Sequence, residues 1–475
     1  MSIMKNFLNV ILILCVCLNW CFTEGAEEKE SGKVDSYTFQ VSSLFPSSSS
    51  SCTPSSKASN KKSSLPVVHM HGACSHLSSN KDARLDHDEI LRRDQARVKS
   101  IHSKLSKNNA DGVSMTKSTE LPAKDGTTIG SANYIVTIGI GTPKHDVSLT
   151  FDTGSGLTWT QCQPCLESCY SQQEPIFNPS TSSSYQNVSC SSPMCGNNSS
   201  CSGNNSSCNS GTNCRYGIRY ADGSVTIGVL AKEKFTLTNS DVLDNIYFGC
   251  GENNTGLFNG AAGILGLGRG KRSLPTQTAT IYNNIFSYCL PSSASNTGHL
   301  TFGSDGISGS AKFTPFTSFP IPSLYGITIV GISVGDKKLE ITPTTFSTYG
   351  AIIDSGTVIT RLPTKVYAEL RSVFKEKMSS YKATSGNGYF DTCYDFTGLD
   401  TITIPKIAFF FAGGTVVDLP GIGILYPLTR SQVCLAFAGD NEHIPAIFGN
   451  VQQKTMEIVY DVAGGRVGFA PNGCS

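Results

Sequence analysis

Leu149-Thr150-Phe151-Asp152-Thr153-Gly154-Ser155 and Ala351-Ile352-Ile353-Asp354-Ser355-Gly356-Thr357 carry one pattern twice, the two aspartates 202 positions apart. Each runs apolar residues into an Asp, a hydroxyl residue, a Gly and a second hydroxyl residue. One such tetrapeptide is an ordinary turn, because Asp, Ser, Thr and Gly are turn formers. Two copies, each behind a strand-like apolar run, predict two related lobes that bring their Asp loops together. Paired carboxylates that share one proton can activate a water molecule.

The repeat extends beyond the Asp loops. Ala262-Gly263-Ile264-Leu265-Gly266-Leu267-Gly268 follows the first, and Pro445-Ala446-Ile447-Phe448-Gly449-Asn450-Val451 follows the second. Gly266 lies 114 residues after Asp152, and Gly449 lies 95 after Asp354. A Gly inside a strand marks close approach of another backbone. Four segments in this order describe a duplicated half-molecule.

The 475 residues exceed one small core and suit a leading segment plus two lobes. Charged residues make up only 15%, and turn signals punctuate short apolar runs throughout, as in an all-β protein. A formal charge of +1 gives no field directed at nucleic acid or an anionic membrane. Residues 1–25 read as a secretory signal peptide, with Lys5 before an apolar stretch from Phe7 to Trp20. No later run is long enough for a transmembrane helix, and the ending Ala470-Pro471-Asn472-Gly473-Cys474-Ser475 lacks the apolar tail of a lipid-anchor signal. The 18 Cys fit an oxidising compartment. The expected address is extracellular.

Residues 131–475 resemble a pepsin-like aspartic protease of the atypical, nepenthesin-like plant group. The resemblance rests on both Asp motifs, on Trp159, and on Tyr220-Ala221-Asp222-Gly223-Ser224. It also rests on the run from Phe448-Gly449-Asn450-Val451-Gln452-Gln453 through Tyr460-Asp461 to Val467-Gly468-Phe469. It implies an all-β bilobal fold with pseudo-twofold related lobes, a few short helices and a long cleft. It also implies endopeptidase activity at acidic pH on polypeptides, between bulky apolar residues, without metal or organic cofactor and as a monomer. Asp152 and Asp354 would be the catalytic pair, one taking the proton of a water while the other, protonated, polarises the scissile carbonyl. Thr153 and Ser355 would tie the loops across the lobes. Ser155 and Thr357 would donate to the outer carboxylate oxygens, which favours the charged form and an acidic optimum. Tyr220, with Asp222 and Gly223, would form a flap whose tyrosine meets Trp159 and which closes over substrate. Two positions depart from the family pattern: Gly156 stands where a polar residue is usual, and Ala221 where the flap usually carries Gly.

Residues 26–120 hold 14 Lys/Arg against 11 Asp/Glu, whereas 121–475 hold 22 against 24. Asp86 to Leu105 reads as one basic helix, with Ile90, Leu91, Val98, Ile101 and Leu105 near helical spacing and Arg92, Arg93, Arg97, Lys99 and Lys104 as cations. The resemblance implies an inhibitory propeptide that neutralises cleft carboxylates at neutral pH; the alternative is a linker with a solvated charged helix. Cys52 and Cys74 could staple it. The mature body is expected to begin between about Leu121 and Ser131. The expected division is 1–25 signal, 26–125 propeptide, 126–324 first lobe with the Cys-rich insert and flap, and 325–475 second lobe. In the second lobe Thr364 to Ser380 is the best helix, with Val366, Leu370, Val373 and Phe374 as a packing stripe.

Cys162, Cys165, Cys169, Cys190, Cys195, Cys201, Cys208 and Cys214 crowd 53 residues, too few for a core, so disulfides must hold them. The Cys162-x-x-Cys165 spacing invites zinc, but a secreted context without a nearby His favours disulfides. With Cys250, Cys289, Cys393, Cys434 and Cys474, 13 Cys remain after the leading segments, against six bridges in the family pattern. Gly196-Asn197-Asn198-Ser199-Ser200-Cys201 recurs as Gly203-Asn204-Asn205-Ser206-Ser207-Cys208, so Cys201 or Cys208 is expected to be the odd thiol. Cys250–Cys289 and Cys393–Cys434 are expected within-lobe bridges. Asn187, Asn197, Asn198, Asn204, Asn205 and Asn253 open glycosylation sequons. Two other functions compete with general proteolysis: a dead scaffold acting as an inhibitor, which the intact aspartates oppose, and a narrow protease in extracellular plant defence.

Overall fold

The computed structural model describes residues 35–45, 52–55, 63–77, 87–110, 134–195, 213–220, 223–256, 258, 260–341, 345–346, 350–440 and 445–474. The signal peptide, the expected start of the mature body, Cys201, Cys208, Ala221, Asp222 and the sequons at Asn197, Asn198, Asn204 and Asn205 lie outside them. The architecture is all-β, with few and mostly short helices.

The first strands are β1 (Ser36–Gln40), β2 (Ser64–His69), β3 (Tyr134–Ile140), β4 (His145–Asp152) and β5 (Trp159–Gln161). β3 is apolar on both faces because both are covered: six of its seven residues, all but Thr137, are buried. It pairs antiparallel with β4, placing Ile135 opposite Thr150. One 14-stranded sheet crosses from lobe to lobe, and β2 lies inside it between β3 and the strand Thr297–Phe302. Leading-segment residues thus form part of the central sheet. β1 adds a further strand to the second lobe, antiparallel to Thr401–Pro405.

The duplication read from the sequence is present in the strand pairing. Gly263–Gly266 runs parallel to β4 with Gly266 opposite Asp152, and Ala446–Phe448 runs parallel to Ala351–Ile353 with Phe448 opposite Ile353. Gly266 and Gly449 each accept close backbone approach: a Cβ would lie 2.7 Å from the Leu157 carbonyl carbon in one lobe and 2.7 Å from that of Ile359 in the other. Each glycine N–H donates to a threonine hydroxyl, Thr158 at 3.1 Å and Thr360 at 3.0 Å.

Helix α1 spans His87–Ala110, five residues longer at its C-terminal end than the apolar spacing marks. The second-lobe helix is Thr364–Lys377, and it buries Val366, Leu370, Val373 and Phe374 as the stripe predicts. Cys52–Cys74 and Cys393–Cys434 are bridged as expected. The expected Cys250–Cys289 bridge is not formed. β5 runs parallel to Asp241–Thr255 with Thr160 opposite Cys250, which brings Cys162 to Cys250, and the Cys162 N–H donates to Gly251 at 2.8 Å. Cys289 ends a strand on the far side of the sheet and bonds Cys474. Cys165–Cys169 and Cys195–Cys214 complete the described bridges, so Cys162 and Cys165 serve separate disulfides and do not share a metal. Among the described residues Cys190 is the thiol without a disulfide. The insert was expected to contribute its odd thiol from the duplicated Cys201 or Cys208, which lie outside the described residues.

Gly449→Ala should lower stability by about 1–3 kcal/mol, because the new methyl must displace backbone. Gly388→Ala, where a Cβ meets nothing within 4 Å, should leave stability nearly unchanged. Thermal unfolding of both variants checks this; equal midpoints would refute the close-approach argument.

Candidate active site

β4 delivers Asp152 and Ala351–Ile353 delivers Asp354, so each carboxylate stands at the end of a buried strand. The two loops are tied reciprocally: the Thr153 N–H donates to Ser355 Oγ at 3.0 Å, and the Ser355 N–H donates to Thr153 Oγ1 at 2.9 Å. Ser in place of a second Thr keeps this exchange intact. Ser155 Oγ donates to Asp152 Oδ2 at 2.5 Å and Thr357 Oγ1 to Asp354 Oδ2 at 2.6 Å. The inner oxygens accept N–H groups from Gly154 at 2.9 Å and Gly356 at 3.2 Å. Both aspartates are 1% exposed.

Two carboxylates buried this closely cannot both stay charged without a counter-charge. Arg97 of α1 supplies it from between them. Its Nη2 donates to Asp152 Oδ1 at 2.8 Å and to Asp354 Oδ1 at 2.7 Å, its Nε to Asp354 Oδ2 at 2.7 Å, and its Nη1 to Asp152 Oδ2 at 3.1 Å. The planar guanidinium makes four directed bonds to the two acids, one more than the three N–H donors of an ammonium could supply. Burial works to lower the Arg97 pKa, but Asp152 and Asp354 outweigh it and hold the guanidinium above its ordinary value. A Cβ on Gly154 or Gly356 would come within 2.4 Å of this guanidinium, so both glycines are needed to admit it.

The helix behind Arg97 is seated by its apolar stripe. Ile90 and Leu91 pack with Val358, Ile359, Phe390 and Tyr426, while Val98, Ile101 and Leu105 pack with Phe319, Leu324, Ile352 and Ile447. One turn before Arg97, Asp94 is fully buried. Its Oδ2 accepts from Arg361 Nη2 at 2.6 Å and its Oδ1 from the Val358 N–H at 2.6 Å. Burial pushes the Asp94 carboxyl up, while Arg361 and the Val358 N–H pull against that rise. The sequence reading counted Arg97 only as one of several helix cations and missed Asp94 and Arg361. The available signal was the Asp94-x-x-Arg97 pair on the apolar side of the helix, where a charge needs a partner.

Trp159 and Tyr220 meet as expected: Trp159 Nε1 donates to Tyr220 Oη at 2.6 Å, and both pack edge-on against Phe258. Tyr220 closes the strand Arg215–Arg219, which pairs with Val225–Thr238, and Gly223 turns the tip at φ +89°. Cys214, bridged to Cys195, immediately precedes that strand, so the Cys-rich insert is fastened to the base of this hairpin. A Cβ on Gly156 would touch only Gly270, at 3.6 Å, so a side chain has room there. Asn187 is exposed, its side-chain oxygen accepting from Tyr185 Oη at 2.8 Å. Asn253 is partly buried and donates to Glu167. Among the described residues no cluster of three His, Cys, Asp or Glu could hold a metal ion, and no helix is long and apolar enough to cross a membrane.

Comparison with known proteins gives the same reading. The family described as xylanase inhibitor N-terminal matches residues 134–304, and that described as xylanase inhibitor C-terminal matches residues 324–471. The chain is 75% identical over 476 residues to the aspartyl protease AED1 of Arabidopsis thaliana, covering 100% of both. It is 38% identical over 357 residues to the aspartic proteinase nepenthesin-1 of Nepenthes gracilis, covering 73% of this chain and 79% of that one. The soybean basic 7S globulin crystal structure shares the fold, with a TM-score of 0.58, 20% identity and coverage of 72% of this chain and 94% of that chain. These matches span both lobes: the chain belongs to the nepenthesin-like group of plant pepsin-like aspartic proteases, and it is an aspartic-type endopeptidase acting on polypeptides.

Proposed function

We propose that the chain is the precursor of a secreted acid endopeptidase whose catalytic pair is Asp152 and Asp354 and whose residues 26–125 form an inhibitory propeptide. The observation that carries this reading is Arg97 clamped between the two carboxylates by four hydrogen bonds. With α1 removed, the same oxygens face a water. One carboxylate takes a proton from the water as its oxygen attacks the scissile carbonyl carbon, and the other gives its proton to the carbonyl oxygen. Collapse of the resulting intermediate breaks the C–N bond as the amine nitrogen takes up a proton. The donors Ser155 and Thr357 support ionisation of one member, and the reciprocal Thr153–Ser355 ties hold the pair together.

The lobes would divide at 324–325. A preference for bulky apolar residues is supported by the walls that α1 now covers, among them Phe319, Ile352, Ile447 and Phe390. Tyr220, Asp222 and Gly223 would close over substrate, with Trp159 as the anchor of Tyr220. Export to the extracellular space is supported by six disulfides in the described residues. The product would act as a monomer without cofactor, with Asn187 and Asn253 as glycan acceptors and extracellular plant defence or protein turnover as its setting.

Acid release is supported by the base of the propeptide as well as by the carboxylates. His69 is half-buried at the end of β2, edge-on to Tyr134, and its Nδ1 accepts the His71 N–H at 3.3 Å. Burial, then His71, Lys454 and His87, lower its pKa to about 3. His71 in turn feels Arg93, and Lys454 is lowered by burial to about 8. Docked, His69 stays neutral; released, it takes a proton near its ordinary value of 6.5. The released state therefore binds more protons between about pH 6.5 and 3, and acidification through that window favours release.

Three expected outcomes test this reading. Brought to about pH 4, the precursor should shorten itself and cleave peptides in a pepstatin-sensitive way, whereas Asp152→Asn should do neither. An Asp152→Asn chain that retains full activity would remove the dyad. Arg97→Ala, which leaves two buried carboxylates without their cation, should move activation to higher pH, read as precursor size against pH. His69→Leu, which deletes a proton-linked cost of docking, should move it to lower pH; no shift would eliminate His69 as a sensor.

A further inference from the structure

Removal of α1 leaves a second charged group at the cleft without its partner. Arg361 is 3% exposed, and the carboxylate it holds belongs to Asp94 of the proposed propeptide. We propose that Arg361, with the backbone N–H groups of Val358 and Ile359, forms a subsite that takes an Asp or Glu side chain of the substrate close to the scissile bond. This rests on the endopeptidase reading above and adds a selectivity to it.

The receptor is already built around a carboxylate. Asp94 accepts from Arg361 Nη2 and the Val358 N–H, each at 2.6 Å, and from the Ile359 N–H. Arg361 Nε is buried and has no hydrogen-bond partner among the described residues, so a second donor of this guanidinium is unused. The receptor adjoins the catalytic pair along the chain: Thr357, whose hydroxyl holds Asp354, immediately precedes Val358. It adjoins the pair in space as well, because Asp94 lies three residues before Arg97, a rise of about 4.5 Å along the helix. An extended peptide advances about 3.3 Å per residue, so the acidic side chain belongs within two or three residues of the bond being cut.

Of the nearby acids, Asp391 is committed to Arg371 and Tyr367. Asp440 faces His102 of α1 at 3.7 Å, a partner that leaves with the helix. Arg361 also lines a cavity of about 360 Å³ with Gln95, Tyr367, Arg371, Tyr389 and Asp391. Gln95 is on α1, so release of the helix removes one wall and opens this cavity toward the cleft. A buried guanidinium stripped of its partner is costly, and a substrate that restores a carboxylate gains what a neutral isostere cannot.

The test uses the processed enzyme and a peptide series in which one Asp is moved through the three positions on either side of the scissile bond, each compared with Asn. At one position Asp should be preferred by about ten- to hundred-fold in kcat/KM. That preference should grow as pH rises through the ordinary carboxylate range near 4. Arg361→Gln should abolish the preference and Arg361→Lys should keep part of it. Equal cleavage of Asp and Asn peptides at every position overturns the subsite whether or not the variants fold, and so does a preference that survives in Arg361→Gln. A processed chain that cuts none of the peptides removes the endopeptidase reading, and the subsite with it.

Discussion

Two carboxylates forced into one buried site govern the rest of this molecule. Like charges at this range cannot both persist in a dry environment without a cation or a shared proton. In the chain as folded, Arg97 is that cation. Its own desolvation is outweighed by two acids and four directed hydrogen bonds. The surrounding features follow from this need. The two motif glycines leave the space, the crossed Thr153–Ser355 bonds fix the distance, and Ser155 and Thr357 saturate the outer oxygens. Arginine alone would not hold the helix in place, because ionic contacts only partly offset burial of their charges. The apolar stripe from Ile90 to Leu105 supplies the attachment, and the guanidinium supplies its register.

The propeptide as proposed is held at three separated places, and each uses different physics. α1 uses apolar packing and buried charge in the cleft. β2 uses backbone pairing on both sides within the central sheet, opposite Thr297–Phe302 and β3. β1 uses strand addition to the second lobe, with Tyr37 and Phe39 packed against the core there. Loss of charge in the cleft leaves the other two attachments intact, so complete departure requires the sheet to exchange a strand. His69, at the end of β2, sits where such an exchange would begin, beside a half-buried lysine, Lys454.

The parts of this arrangement visible in the sequence were those encoded by local repeats. Asp152 and Asp354 stand in duplicated tetrapeptides, and the glycines at 266 and 449 mark close strand crossings that the structure contains. Tyr220 and Trp159 were legible through a motif and its spacing. The partners of Asp94 were not, because Arg361 lies 267 residues away and nothing local distinguishes it from a surface arginine. Disulfide partners failed for the same reason where sheet order decided them. Cys250 was expected to pair with Cys289 within its lobe, yet parallel pairing with β5 brings Cys162 to it instead. Cys393–Cys434 was recoverable because the two strands pair directly, with those residues opposite each other.

The duplication also shows how the two lobes diverged. Trp159 lies seven residues after Asp152, and Arg361 lies seven after Asp354. Each sits opposite an isoleucine of the crossing strand, Ile264 in one lobe and Ile447 in the other. In the first lobe this position carries an indole that donates to Tyr220 at the end of its hairpin strand. In the second lobe the same position turns a guanidinium toward Asp94 of α1. An indole buries at little cost, whereas an arginine with 3% exposure needs a carboxylate wherever one is available. The fold therefore has matched backbone positions on either side of the dyad with opposite demands, one satisfied within its own lobe and one only by a chain lying in the cleft. With Arg361 taking a substrate carboxylate as proposed, that asymmetry would give the two directions of a bound polypeptide different fits.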